Sequence, residues 1–102
     1  MSPAEVEARL GRLEGVGAAY VFGLPSRERG EVVGAAIVLR PGHDLDEADL
    51  LARCANLPPY QRPVAVLVVD AAEVPMTGTG KVQKRLLRER LLARRAPPRG
   101  TY

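Results

Sequence analysis

The sequence predicts a small α+β domain: helices packed on a sheet of about three strands, with a basic helix at the C-terminal end. Three observations carry that prediction. At 102 residues the chain holds one domain with one modest core. Apolar residues make up 46% and charged residues 26%, the balance of a globular protein and not of a disordered one. Short valine-rich runs alternate with helically spaced segments, in the order helix, strand, strand, helix, strand, loop, helix.

The first helix opens at Ser2, a capping residue, followed by Pro3 with its fixed φ and by Glu5 where a capping box needs an acid. Val6, Leu10 and Leu13 recur at helical spacing, and Gly15 and Gly17 are expected to end the helix. Ala18–Phe22 reads as a short strand closed by Gly23 and Pro25, with Leu24–Gly30 an exposed loop. Glu31–Arg40 is a near-continuous apolar run, which fits a central strand covered on at least one face. Pro41-Gly42 makes a turn. Asp46 caps a second helix expected to reach Asn56, with Leu50, Leu51 and Cys54 on its inner side, before Pro58-Pro59 forbids more helix. Val64–Asp70 is the third strand, and Glu73–Gly80 is a loop without periodicity. Val82–Arg95 is a strongly basic helix ended by Pro97-Pro98, whose Val82, Leu86, Leu87 and Leu91 form an apolar face and leave Lys84, Arg85 and Arg88 outward. The domain therefore spans residues 2–95, and 96–102 are expected to form a disordered tail.

Several function classes drop out. No apolar run approaches the roughly 20 residues of a membrane span, and Met1–Glu5 has no signal-peptide character. A lone Cys54 can form neither an internal disulfide nor a zinc cluster, so a cytoplasmic setting is expected. His43, the single histidine, falls in a turn and has no nucleophile or acid arranged around it. Asp44, Asp46, Glu47 and Asp49 crowd the start of the second helix, where the dipole favours them, and read as helix-stabilising charges rather than a metal site. The net charge of +3 is unevenly spread: residues 1–80 carry 7 basic and 11 acidic side chains, and residues 81–102 carry 8 basic ones against Glu89. Such a basic end seeks phosphate, nucleic acid or an acidic protein surface. With aromatics at 4%, no single-strand stacking platform is in view, and nucleic acid is the lesser reading.

The segment Pro75-Met76-Thr77-Gly78-Thr79-Gly80-Lys81 stands apart. Two glycines allow close approach, two threonines add hydroxyls, and a lysine is delivered at the expected start of a helix. That kit can grip a phosphate or a developing negative charge. It is no Walker A loop, because Pro75 and Val82 stand where that motif needs glycine and Ser/Thr.

Four pieces of the chain, in register over residues 2–92, resemble the small C-terminal domain of the acyl-adenylate-forming superfamily of acyl-CoA synthetases, peptide-synthetase adenylation domains and luciferase. Ser2–Glu7 resembles the "PxEVE" helix start, and Tyr20–Pro25 with Gly30–Val33 resembles the "VxGxPD…GE" pair. Leu57–Pro63 resembles "LxxYKxP", with Gln61 where lysine is usual. PMTGTGKVQKRLLRERL resembles the signature "PxTxTGKxxRxxLR", and Gly80-Lys81 with Lys84 and Arg85 looks more like the acyl-CoA ligases than the peptide-synthetase domains.

The resemblance implies that Lys81 is the adenylation lysine, which contacts the carboxylic acid substrate and the α-phosphate region of ATP as pyrophosphate leaves. It implies that Thr77, Gly78, Thr79 and Gly80 form the substrate and nucleotide loop, with Lys84 and Arg85 as phosphate or partner contacts. The domain would then rotate and open a path for the thiol of coenzyme A or a carrier protein. In the family the phosphate-binding loop, ribose aspartate and hinge belong to a separate core domain, and a first β-hairpin precedes "PxEVE". None of these is among the 102 residues, so this chain is expected to need an adenylating core domain for ATP, magnesium and turnover. The alternatives are a degenerate, non-catalytic binding module of the same family, or an anion- or nucleic-acid-binding protein using the basic helix.

Overall fold

Ser2 sets the first turn by accepting the Glu5 N–H, and Pro3 follows it into α1 (Pro3–Leu10) of the computed structural model, which describes residues 2–95. The tail expected over 96–102 lies outside the described residues. Only half of the capping box forms. The Glu5 carboxylate instead pairs with Arg9 at 3.6 Å and accepts from Gln61 Nε2 at 3.4 Å. The helix also stops earlier than Leu13. Tight turns, Arg12 to Arg9 and Leu13 to Leu10, replace its last expected turn, yet still deliver Leu13 to the core.

β1 (Val16–Ser26) and β2 (Gly30–Leu39) form an antiparallel hairpin, and β3 (Pro63–Val68) adds to β2 in parallel. The sheet order β1-β2-β3 makes β2 central, as its apolar run predicts. β1 is twice the expected strand, running through Gly23 and Pro25 and taking Leu24 into the core. The reason lies at the edge. Val21 turns its N–H outward, away from β2, and Pro25 has the same parity, so its missing N–H costs no ladder bond.

α2 (Glu47–Arg53) joins β2 to β3 and carries a reciprocal cap between Asp46 and Asp49. Its expected continuation to Asn56 is a single 3-10 turn, Cys54–Asn56. Asp70, expected to end the third strand, instead opens a 3-10 turn at Ala71–Glu73. The basic helix is α3 (Lys84–Arg95), two residues shorter at its start than its pattern.

Both faces of the sheet are covered. Val6 and Leu10 of α1 and Leu50 and Cys54 of α2 pack with Val21, Val33, Ala35, Ile37 and Val66 on one face. Leu87 and Leu91 of α3 pack with Phe22, Leu24, Ala36, Ala65 and Leu67 on the other. Each such leucine contributes about 1.5–3 kcal/mol by leaving water. Gly34 makes room at the centre: a Cβ there would lie 2.8 Å from Leu24 and 2.9 Å from Phe22.

Charged side chains close both sheet edges. On β1, the Val21 N–H donates to Glu7 Oε2 at 2.7 Å, and Glu7 pairs with Lys84. On β3, the Val66 N–H donates to Glu47 Oε2 at 2.8 Å, while Arg94 Nη2 donates to that oxygen and to the Val66 carbonyl, both at 3.1 Å. Each clamp joins a helix on one face to α3 on the other, around an edge strand. From Lys84 to Arg94 the helix rises about 15 Å. Three strands span only about 10 Å, so one helix reaches both edges.

Candidate functional site

The segment expected to be an aperiodic loop is an ordered hairpin. Met76 and Val82 form an antiparallel bridge, and the Gln83 N–H donates to the Pro75 carbonyl at 2.8 Å to close the base. Above it, the Thr77 N–H donates to the Lys81 carbonyl at 2.8 Å and the Gly80 N–H to the Thr77 carbonyl at 2.9 Å. This is a three-residue hairpin turn whose last position needs a left-handed residue. Gly80 supplies it, with φ +85°. Gly78 has no such requirement, and nothing lies within 4 Å of a Cβ built on it.

Lys81 therefore does not begin a helix. It leaves a hairpin three residues before α3, because Val82 and Gln83 are spent on closing that hairpin. Thr77, Gly78, Thr79, Gly80 and Lys81 are all exposed and come together as one projection. The hydroxyls of Thr77 and Thr79 lie 2.9 Å apart, and the Lys81 N–H donates to Thr77 Oγ1 at 3.2 Å. Met76, beside the lysine in the same hairpin, is 51% exposed.

The structure separates Lys84 and Arg85 from this group. Lys84 turns inward to Glu7, contrary to its expected outward position, and Arg85 pairs with Glu89 at 2.7 Å one turn along α3. Arg90 reaches Glu73 at 3.6 Å and Arg94 reaches Glu47. Lys84, Arg90 and Arg94 thus neutralise acids of residues 1–80, which the charge distribution alone did not show. Within residues 81–94, Lys81 and Arg88 have no ion-pair partner among the described residues.

The other polar candidates keep structural roles. Cys54 is buried at 2% exposure, and burial pushes its thiol above the ordinary value of 9.0, against the reactive thiolate. Asp46, Glu47 and Asp49 are occupied with capping and clamping. Among the described residues no three His, Cys, Asp or Glu side chains gather as a metal site, and no helix is long and apolar enough to cross a membrane. Sequence reasoning did not foresee that Pro75 and Gln83 close the hairpin or that Glu7 occupies Lys84. Their pairing is long-range or carried by backbone atoms, and leaves no mark in the spacing.

Comparison with known proteins places the chain by sequence and by fold. Residues 5–81 match the family model of the AMP-binding enzyme C-terminal domain. The chain is 44% identical over 88 residues to a methyl-dioxo-octahydro-indenyl propanoyl:CoA ligase of Mycobacterium tuberculosis, covering 85% of this chain and 17% of that protein. ATP-bound MatB of Rhodopseudomonas palustris superposes with a TM-score of 0.75 at 34% identity, over 88% of this chain and 18% of that one. The amide bond synthetase McbA of Marinactinospora thermotolerans gives 0.75 at 33%, over 87% and 18%. The chain thus spans less than a fifth of each of these relatives. With its two-faced sheet and its lysine-tipped hairpin, it belongs to the AMP-binding enzyme C-terminal domain family.

Proposed function

We propose that this domain is the lid of an acyl-adenylating ligase of the acyl-CoA synthetase type, presenting Lys81 to an adenylating core domain. One observation carries the reading. Lys81 is the exposed cation at the end of a braced hairpin, unpaired among the described residues, while the nearby Lys84 and Arg85 are held by acids of the domain itself. A lysine ammonium offers three donors and a compact charge, which suits a carboxylate and an α-phosphate brought together. ATP with its magnesium would be held chiefly by the core domain, with Lys81 and the exposed Thr79 hydroxyl as this domain's contribution. Exposed Met76 gives the hairpin an apolar flank suited to burial against that core.

Adenylation leaves an acyl-AMP that a thiol then attacks, on coenzyme A or a carrier protein. A lysine on a projecting hairpin serves the first step and leaves with the domain before the second. Two of the named relatives are a CoA ligase and an amide bond synthetase, so small domains of this family accompany more than one acceptor chemistry.

The test puts residues 2–95 in place of the small domain of the Mycobacterium tuberculosis relative and measures both half-reactions. Lys81→Ala should lower pyrophosphate release about 10²–10³-fold, as expected for one preorganised charge. Thioester formation from preformed acyl-adenylate should persist, and Lys84→Ala should spare both steps. Equal pyrophosphate release by Lys81→Ala and the parent would overturn the reading.

A further inference from the structure

Thr77 is exposed, yet each of its polar groups is used inside the hairpin. Its N–H donates to the Lys81 carbonyl at 2.8 Å, and its carbonyl accepts the Gly80 N–H at 2.9 Å. Its Oγ1 accepts the Lys81 N–H at 3.2 Å and lies 2.9 Å from Thr79 Oγ1. An exposed threonine ordinarily leaves its hydroxyl to water. Here residue 77 holds the Lys81 backbone from both sides, through its own N–H and through its hydroxyl.

We infer that Thr77 is the positioning residue of Lys81: its hydroxyl fixes the peptide from which the lysine side chain departs. This rests on the adenylation role proposed for Lys81, and it removes Thr77 from the groups that touch substrate. Small displacements of a reacting group are costly in rate, so a hydrogen bond at the root of the side chain can act on the chemistry at its tip. Thr79 differs. Its hydroxyl faces the Thr77 oxygen on one side only, so it retains capacity for a substrate anion.

The experiment uses Thr77→Val, which keeps the shape and removes the hydroxyl, and Thr77→Ser, which keeps the hydroxyl and removes the methyl. In the domain-exchanged ligase, Thr77→Val should lower kcat for adenylation about tenfold with little change in KM. Thr77→Ser should stay near the parent, and the thioester half-reaction should be unaffected by both. In the 102-residue chain alone, hydrogen exchange of the Lys81 amide should quicken in Thr77→Val and not in Thr77→Ser. The two readings fail separately. If Lys81→Ala adenylates normally, the role of Lys81 falls, whatever the amide exchange shows. If Lys81→Ala is inactive while Thr77→Val matches the parent, or Thr77→Ser is as slow as Thr77→Val, positioning by the Thr77 hydroxyl is overturned.

Discussion

Lys84 ends against Glu7, in a cluster that also takes up the Val21 N–H at the edge of β1. Lys81, three residues earlier, ends in solvent from a hairpin held by its own backbone bonds. The contrast extends to the regions around them. The layered body is fastened by buried leucines and by charged clamps whose members lie far apart in the chain. The hairpin is fastened by contacts no more than eight residues apart, Pro75 to Gln83 being the widest. Positive charge in one short segment therefore serves cohesion in one place and reach in the other, and the position of the nearest acid decides which.

The strongest way to sharpen that contrast is to cut into the body. Leu87 is fully buried against the sheet, so Leu87→Ala should cost about 2–5 kcal/mol in urea unfolding. Lys81→Ala should leave the same curve unmoved, and a comparable loss there would erase the distinction.

Next come the clamps. Glu7→Ala strips the acceptor from the Val21 N–H as well as the partner from Lys84, and should cost about 1–3 kcal/mol. Lys84→Met leaves that acceptor in place and should cost under about 1 kcal/mol. Glu47→Ala should behave as Glu7→Ala does on the opposite edge. Equal losses for Glu7→Ala and Lys84→Met would mean that the ion pair, and not the edge amide, carries the energy.

Smaller effects should appear in the hairpin. Gly80→Ala forces a side chain into the left-handed region at about 1–2 kcal/mol of local strain, whereas Gly78→Ala should be close to neutral. Amide exchange at Thr77 and Gly80 would separate them, and matching behaviour would refute the turn assignment. The smallest effect concerns Cys54. Its raised thiol pKa means that the unfolded chain loses that proton first. Stability is therefore retained below 9.0 and declines as the pH rises through that value toward the folded pKa. Cys54→Ser should flatten that alkaline decline in urea midpoints taken across the range.

Much of the fold could be read directly, because local chemistry wrote it. Ser2, Asp46 and the run Glu31–Leu39 each act through neighbours a few residues away, and the helix starts and central strand come from them. The misplaced boundaries share one cause. Pro25, Leu13 and Val82 carry local signals that tertiary surroundings override: an outward edge position, a tight turn and a hairpin base. The lysine and its loop were visible as composition and motif, but the turn that presents them depends on backbone bonds. Gln61 shows both limits. Its place in the motif marks it as a departure from lysine, but only the fold reveals the cost of that departure. The side chain is 3% exposed, and its Oε1 has no partner among the described residues. A lysine there would bring only donors toward Glu5 and leave no acceptor stranded.

The two clamps also set an order of events during synthesis. Both draw their cation from α3, the last of the described elements to leave the ribosome. Until then Glu7 and Glu47 can take up the edge amides but lack the cations that complete each clamp, and the sheet face that α3 covers lies bare. Open edges and bare apolar faces are what neighbouring chains pair with. The nascent domain is thus at its most adhesive in the interval before Lys84 through Arg94 emerge, and the arrival of one helix completes both clamps and covers the open face together.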